Sequence, residues 1–334
     1  METAKLLLVM LRPFQLRDAN LLYRLSRQGI PLHVELALTR NPNPLRGALH
    51  NLLTGGDFPT YIWKAEEREV CGFAQVARQA DGVKAHLLYV GSAESTSTAA
   101  PNDPPAPFID EDAWLSLLDE LTAVLGALGV QNIIAEVDEH GPELPILRRA
   151  GFAIYTRQDI WIRQYVSPSG NKPVDLTDYT SEYAWDVQLL YAHTVPNMIQ
   201  LVEPHPPVGR YSWVRYAGQE LAAYIHIETG REAEWLHLFM HPNAQTQADQ
   251  IVAAVLSHRP PAREYALYCG LRRYQNWLQG ALQRNGFEYW GSQAMLVRHT
   301  THHARKLSPS LEAELRLDRA IARPTSLIRQ APYG

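Results

Sequence analysis

The chain reads as an α/β (α+β) protein built of two similar units in tandem, and three observations predict this. Its 334 residues, 46% of them hydrophobic, are enough for two cores of about 150 residues each. Strand-like and helix-like segments follow one another in an order that starts again after residue 173. The two halves also match at specific residues and at constant spacing.

Residues 6–12 form an apolar strand pattern that Arg12-Pro13 ends. Asp18 then stands where an N-cap belongs, before Leu21, Leu22 and Leu25 at helical spacing. Helical pattern continues over 31–54 and stops at Gly55-Gly56. Tyr61–Ala65 and Val70–Arg78 alternate as strands around the charged turn Glu66–Glu69, and His86–Val90 is a third strand. A Ser/Thr/Ala/Pro-rich stretch from Gly91 to about Pro107 reads as a loop. Residues 112–128 have helical period with Gly129 as C-cap, Ile133–Val137 is a buried strand, Leu144–Ala150 a short helix, and 153–164 strand-like.

Ser167-Pro168-Ser169-Gly170-Asn171-Lys172-Pro173 is a linker by composition. The expected layout is a first domain over 1–166, a linker over 167–173, a second domain over 174–300 and a polar tail over 301–334. In the second domain helical pattern covers 181–202. Tyr211–Tyr216, Leu221–Ile227 and Glu234–Met240 are strands, Ala248–Ser257 a helix, Glu264–Cys269 a strand, Gln275–Arg284 a helix and Tyr289–Arg298 a strand.

The repeat is residue-specific. Ile146–Phe152 corresponds to Ala281–Phe287, and without a gap Gln158, Ile162 and Arg163 fall on Gln293, Val297 and Arg298. Upstream, Glu69, Phe73 and His86 fall on Glu220, Tyr224 and His237. Each Gly-Phe pair has a local reason: glycine takes the positive φ that ends the helix, and phenylalanine anchors the next strand in the core.

Composition excludes several classes. The net charge is −4, with 20% charged residues of mixed sign and no basic run, so a nucleic-acid partner is not expected. No apolar run approaches the ~18 residues of a membrane helix, so neither membrane association nor secretion is expected, and a cytoplasmic location is. Cys71 and Cys269 are too far apart for a disulfide framework or a Cys-x-x-Cys zinc site. His299, His302 and His303 lack a ligand set, so no metal is expected.

This order of elements resembles the GNAT superfamily of N-acyltransferases, with Asn132–Ile162 and the Gly-Phe turns as its closing half and His241-Pro242 as the turn that ends its fourth strand. The layout is that of a tandem two-domain member. The resemblance implies, for each half, a mixed, largely antiparallel sheet flanked by helices. It also implies a cleft where two parallel strands splay, and acetyl-CoA or another acyl-CoA as co-substrate. The diphosphate turn of the family, Gln/Arg-x-x-Gly-x-Gly/Ala, corresponds to Gln245-Thr246-Gln247-Ala248-Asp249-Gln250, in which Gln245 and Ala248 fit and Asp249 and Gln250 depart. Phe239, Met240, Gln245, Thr246, Gln247, Ala248 and Gln250 are therefore the expected cofactor contacts. In the first half the motif is missing, and Asp110, Glu111 and Asp112 precede the helix there. The tyrosine that serves many members as general acid is replaced by Leu147 and Leu282.

Acyl transfer to an amine needs a base for the ammonium proton. Alternation puts Glu234, Leu236, Leu238 and Met240 on one face of a strand and Trp235, His237 and Phe239 on the other. Glu234 and His237 are the candidate bases; the alternative roles are a solvated strand start and a core histidine. Glu136 and Asp138 read as capping or ion-pairing residues. Ten aromatic residues of the second half, among them Trp185, Trp213, Tyr224, Trp235 and Tyr274, form an acceptor pocket on one reading and packing on the other. The functional expectation is an N-acyltransferase acting on a small-molecule or peptide amine, with the second half the active one. A tandem module that only binds a ligand or partner is the alternative.

Overall fold

The computed structural model describes residues 9–56, 58–65, 70–79, 81–94, 110–164, 173–258 and 265–300. The turn at 66–69, most of the loop 91–107, the linker over 167–172 and the tail with His302 and His303 lie outside them.

Among the described residues, 13 strands form one sheet. The first half contributes β1 (Val9–Pro13), β2 (Ile30–Pro31), β3 (Thr60–Ala65), β4 (Val70–Arg78), β5 (Lys84–Glu94), β6 (Asn132–Asp138) and β7 (Ala153–Arg163). The second contributes β8 (Thr177–Asp178), β9 (Ser212–Ala217), β10 (Glu220–Thr229), β11 (Ala233–Met240), β12 (Ala266–Arg272) and β13 (Glu288–His299). Residues 91–94 continue β5 and are not part of a loop as their composition suggested: Val70–Phe73 of β4 pair with them.

The helices are α1 (Ala19–Ser26), α2 (Val34–Arg40), α3 (Pro44–Thr54), α4 (Glu111–Ala127), α5 (Glu143–Arg149), α6 (Ala184–Thr194), α7 (Asn197–Gln200), α8 (Ala248–His258) and α9 (Gln279–Arg284). They cover both faces of the sheet. In α4 the Asp110 carboxylate accepts the Ala113 N–H at 3.0 Å, which satisfies one orphan donor of the first turn. Trp114, Leu117, Leu118, Leu121 and Leu125 are buried at helical spacing against the sheet. Each such leucine contributes about 1.5–3 kcal/mol by leaving water. Gly129, at φ 95°, takes the chain out of the helix. In the second half Ile251, Val252 and Val255 of α8 do the same work against β10–β12. No helix among the described residues is long and apolar enough to cross a membrane.

The strand order is β1-β3-β4-β5-β6-β13-β7-β12-β11-β10-β9-β8, with β2 beside β5. The halves therefore exchange their last strands: β13 lies between β6 and β7, and β7 lies between β13 and β12. All pairs are antiparallel except β5–β6 and β11–β12. In the β7–β13 ladder Gln158 pairs with Gln293, the two residues that correspond in the repeat, so the halves meet about a local pseudo-twofold at this pair. The matched arginines are exchanged too. Arg163 of β7 donates from Nε to the carbonyl of Asn285 at 3.0 Å, beside Gly286. Arg298 of β13 lies beside Gly151, where an added Cβ would sit 3.6 Å from its Nε. Each half thus reads as a mixed, largely antiparallel GNAT-like sheet completed by a strand of the other.

Candidate active site

Parallel pairs mark the two places where the sheet opens. β5 and β6 pair from Lys84↔Asn132 to His86↔Ile134 and then part. β11 and β12 pair from Ala233↔Ala266 to Leu236↔Cys269 and then part. The first gap is filled by the chain itself. Ile30 and Pro31 pair with Val90 and Tyr89, the Leu32 N–H donates to the Leu88 carbonyl at 2.8 Å, and the Leu32 carbonyl accepts from Glu136 N–H at 2.9 Å. Helical pattern was read from residue 31 onward, yet Pro31 belongs with Ile30 to this short strand and the first helix begins at Val34. Backbone groups exposed by the parting of β5 and β6 need partners, and Leu32 supplies them.

The second gap opens instead onto a cavity of about 180 Å³ that both halves line. This is room for a group the size of a benzene ring, less than the ~300 Å³ of an ordinary ligand pocket. Trp235, His237 and Phe239 border it from β11, and Gly270 and Arg272 from β12. The first half adds His33, Glu35, His86, Glu136, Tyr155 and Gln158.

His237 does not pack in a core. Its Nε2 lies 3.5 Å from Glu35 Oε1 of α2, and its ring stacks on that of His226 at 5.8 Å. Burial alone would raise the Glu35 carboxyl; the imidazole of His237 beside it, with His33 and His86 beyond, outweighs this and holds it at about 2. Glu203 accepts from Arg272 Nη2 at 2.7 Å and from the Tyr155 hydroxyl at 3.1 Å. Gln158 accepts from Arg272 as well. Tyr191 of α6 is 4% exposed and its hydroxyl makes no hydrogen bond; burial pushes that phenol up to about 12. His86 Nδ1 is likewise buried without a partner. Two polar atoms without partners on one cavity point to a polar occupant, since a native interior leaves few such groups.

Glu234, the other candidate base, is 1% exposed and points to the opposite face of β11 from His237. The structure does not bring the two together. Of the expected cofactor contacts, Phe239 lines the cavity, while Met240 is buried in the core against α8. Gln245, Thr246 and Gln247 lie in a 3-10 turn, Pro242–Gln247, and Ala248 and Gln250 in the first turn of α8. The amides of this turn are largely engaged. Asn243 N–H donates to His241 Nδ1 at 3.2 Å and Ala244 N–H to the His241 carbonyl at 2.9 Å. Ala248 N–H donates to the Gln245 carbonyl. Asp249 is held by Arg284 through two hydrogen bonds of 2.8 and 2.9 Å. Gln275, 7% exposed, donates to the Leu238 carbonyl at 3.1 Å and so crosses the far end of the gap.

Leu147 and Leu282 are fully buried, and neither side chain can donate a proton. The aromatic residues divide: Trp235 and Tyr274 line the cavity, Trp213 and Tyr224 belong to cores, and Trp185 is 73% exposed. Both cysteines are buried and form no disulfide, and burial pushes the Cys269 thiol up to about 12.

No family model matches the chain, and no curated protein does. Solved structures do. A tandem GNAT protein from the clavulanic acid biosynthesis pathway aligns over 87% of this chain and 98% of its own, at 15% identity and a TM-score of 0.50. A GCN5-related N-acetyltransferase from Sphaerobacter thermophilus aligns over 87% and 96%, at 10% identity and a TM-score of 0.49. A GNAT-family acetyltransferase from Colwellia psychrerythraea gives 87% and 99%, at 11% and 0.44. At such identities the first of these establishes the tandem GNAT-like fold and nothing finer.

Proposed function

We propose that the chain is an acyl-CoA-dependent N-acyltransferase, with the acyl donor on the second half and the amine in the cavity between the halves. The observation that supports this most is the difference between the two gaps. The one between β5 and β6 is closed by Leu32, while the one between β11 and β12 opens onto a polar cavity with His237 at its edge. In the reaction the amine nitrogen attacks the thioester carbon, a C–N bond forms and the C–S bond breaks. His237 takes the ammonium proton, and Glu35, at 3.5 Å, orients the ring and stabilises its charged form. The phenols of Tyr191 and Tyr274, on the same cavity, are the groups that can protonate the leaving thiolate, a task Leu282 cannot perform.

The test is calorimetric titration with acetyl-CoA and longer acyl-CoA esters, followed by turnover with a panel of amines. His237→Gln should lower kcat by about 100-fold or more and leave acyl-CoA binding unchanged. No binding of any acyl-CoA at about 1 mM would end this reading. A second reading, a module that binds an amine without transferring a group to it, is favoured by the engaged amides of Pro242–Gln247 and by Asp249 beside them. It predicts amine binding by the full chain with no acyl-CoA affinity.

A further inference from the structure

Where β5 and β6 part, three potential ligands converge from separate segments. His33 ends the strand-like run that fills the gap, His86 is the last paired residue of β5, and Glu136 follows on β6. One ligand atom from each lies within 4.8 Å of the other two. In a tetrahedral zinc site with bonds of ~2.0–2.2 Å, neighbouring ligand atoms stand about 3.4 Å apart, so a small adjustment of side chains would close the set.

Three further features favour a cation here. Glu136 is 7% exposed, and its one hydrogen-bonded oxygen, Oε2, takes the Val34 N–H at 2.9 Å. No cation among the described residues lies within ion-pair distance of it; Arg272, which acts on it across the cavity, is paired with Glu203, and a buried carboxylate without a close partner is costly. The imidazoles of His33 and His86 face each other with ring centroids 4.9 Å apart, and His86 Nδ1 is among the two polar atoms on the cavity that lack a partner. The other nitrogen of His86 is 3.0 Å from the side-chain amide of Gln79; with the amide turned so that its oxygen accepts from Nε2–H, the ring is held in the tautomer that leaves the Nδ1 lone pair for an ion.

We infer that His33, His86 and Glu136 bind a single divalent transition-metal ion of the zinc class, with a fourth position open to the cavity. Two imidazoles and a carboxylate are donors that suit zinc and its neighbours, and three protein ligands with one open position is the arrangement of sites that bind a further small molecule. Such a site needs neither an acyl donor nor acyl transfer.

Full-length protein stripped of metal would be titrated with zinc chloride by calorimetry, and with cobalt(II) followed by its visible ligand-field bands. The expected result is one equivalent bound, with four-coordinate cobalt bands. Leu36 N–H donates to His33 Nδ1 at 3.4 Å; His33→Asn keeps an acceptor for it, and Glu136→Gln keeps one for the Val34 N–H, so both should fold, as circular dichroism will check. Each should weaken zinc by about a hundredfold or more. A His302→Ala/His303→Ala variant should bind as the unchanged chain does. Absence of zinc binding by the unchanged chain, zinc affinity as tight as the unchanged chain's in either cluster variant, or loss of binding in the tail variant would each overturn the assignment.

Discussion

Asp18 is 4% exposed, and its carboxylate meets the Arg12 guanidinium in two hydrogen bonds of 2.6 Å and takes the Gln15 N–H at 3.0 Å. The residue stands at the start of α1, as its place in the sequence suggests, but its side chain makes no cap bond to that helix. Burial would raise the carboxyl; the Arg12 hydrogen bond, the Gln15 amide and the Arg12 charge together lower it below its ordinary value. A carboxyl lower in the folded than in the unfolded chain contributes stability above its unfolded value, and that stability is lost as pH falls through the folded one. Asp18→Asn should therefore cost about 3 kcal/mol at pH 7. It should also remove part of the acid-side slope, so urea midpoints of the variant and the parent should converge as the pH is taken below about 4. The site shows what a single chain of letters conveys at this scale. Alternation along β11 was enough to separate His237 from Glu234. Glu35, Glu203, Arg272 and Tyr191 went unread as site residues because they come from four other segments, and no local spacing ties them together.

The strand-like run before α2 is held by close backbone approach. A Cβ on Gly91 of β5 would fall 2.6 Å from the Phe73 ring and 3.0 Å from the Gly29 Cα. The ring is fully buried and the other neighbour is main chain, so neither can give way cheaply. Gly91→Ala should thus destabilise the protein by about 2–3 kcal/mol, measured as a drop in the urea midpoint with an unchanged slope. A variant as stable as the parent would show that the run is not packed as described. Strands, helices and both Gly-Phe turns were legible because their periodicities are local. The filling of the first gap was not. Ile30-Pro31 is too short to carry a pattern, and the two bonds of Leu32 go to residues far along the chain.

At the level of the molecule the two units were legible and their exchange was not. A strand buried on both faces has the same composition whichever sheet it enters, so β7 and β13 gave no sign of belonging to a shared ladder. The residues that repeat most faithfully, Gln158 with Gln293 and Arg163 with Arg298, sit in these two strands, and the ladder now supplies a physical reason for the match. Each half alone lacks a strand that its own β6 or β12 pairs with. Residues 1–168 and 169–334 produced separately should give no cooperative unfolding transition, while the two co-expressed should purify together in equal amounts. Two halves that each melt cooperatively as monomers would contradict this.

The central position of β13 also sets the order of events at the ribosome. β6 is complete at residue 138, but the strand that zips against it ends at residue 299. At ordinary translation speeds the nascent polypeptide waits on the order of ten to thirty seconds between the two. Throughout that interval β6 and β7 lack the strand that lies between them in the finished sheet, so the first unit is incomplete until residue 299 has been made. Its sheet is closed only when β13, made last, inserts between β6 and β7.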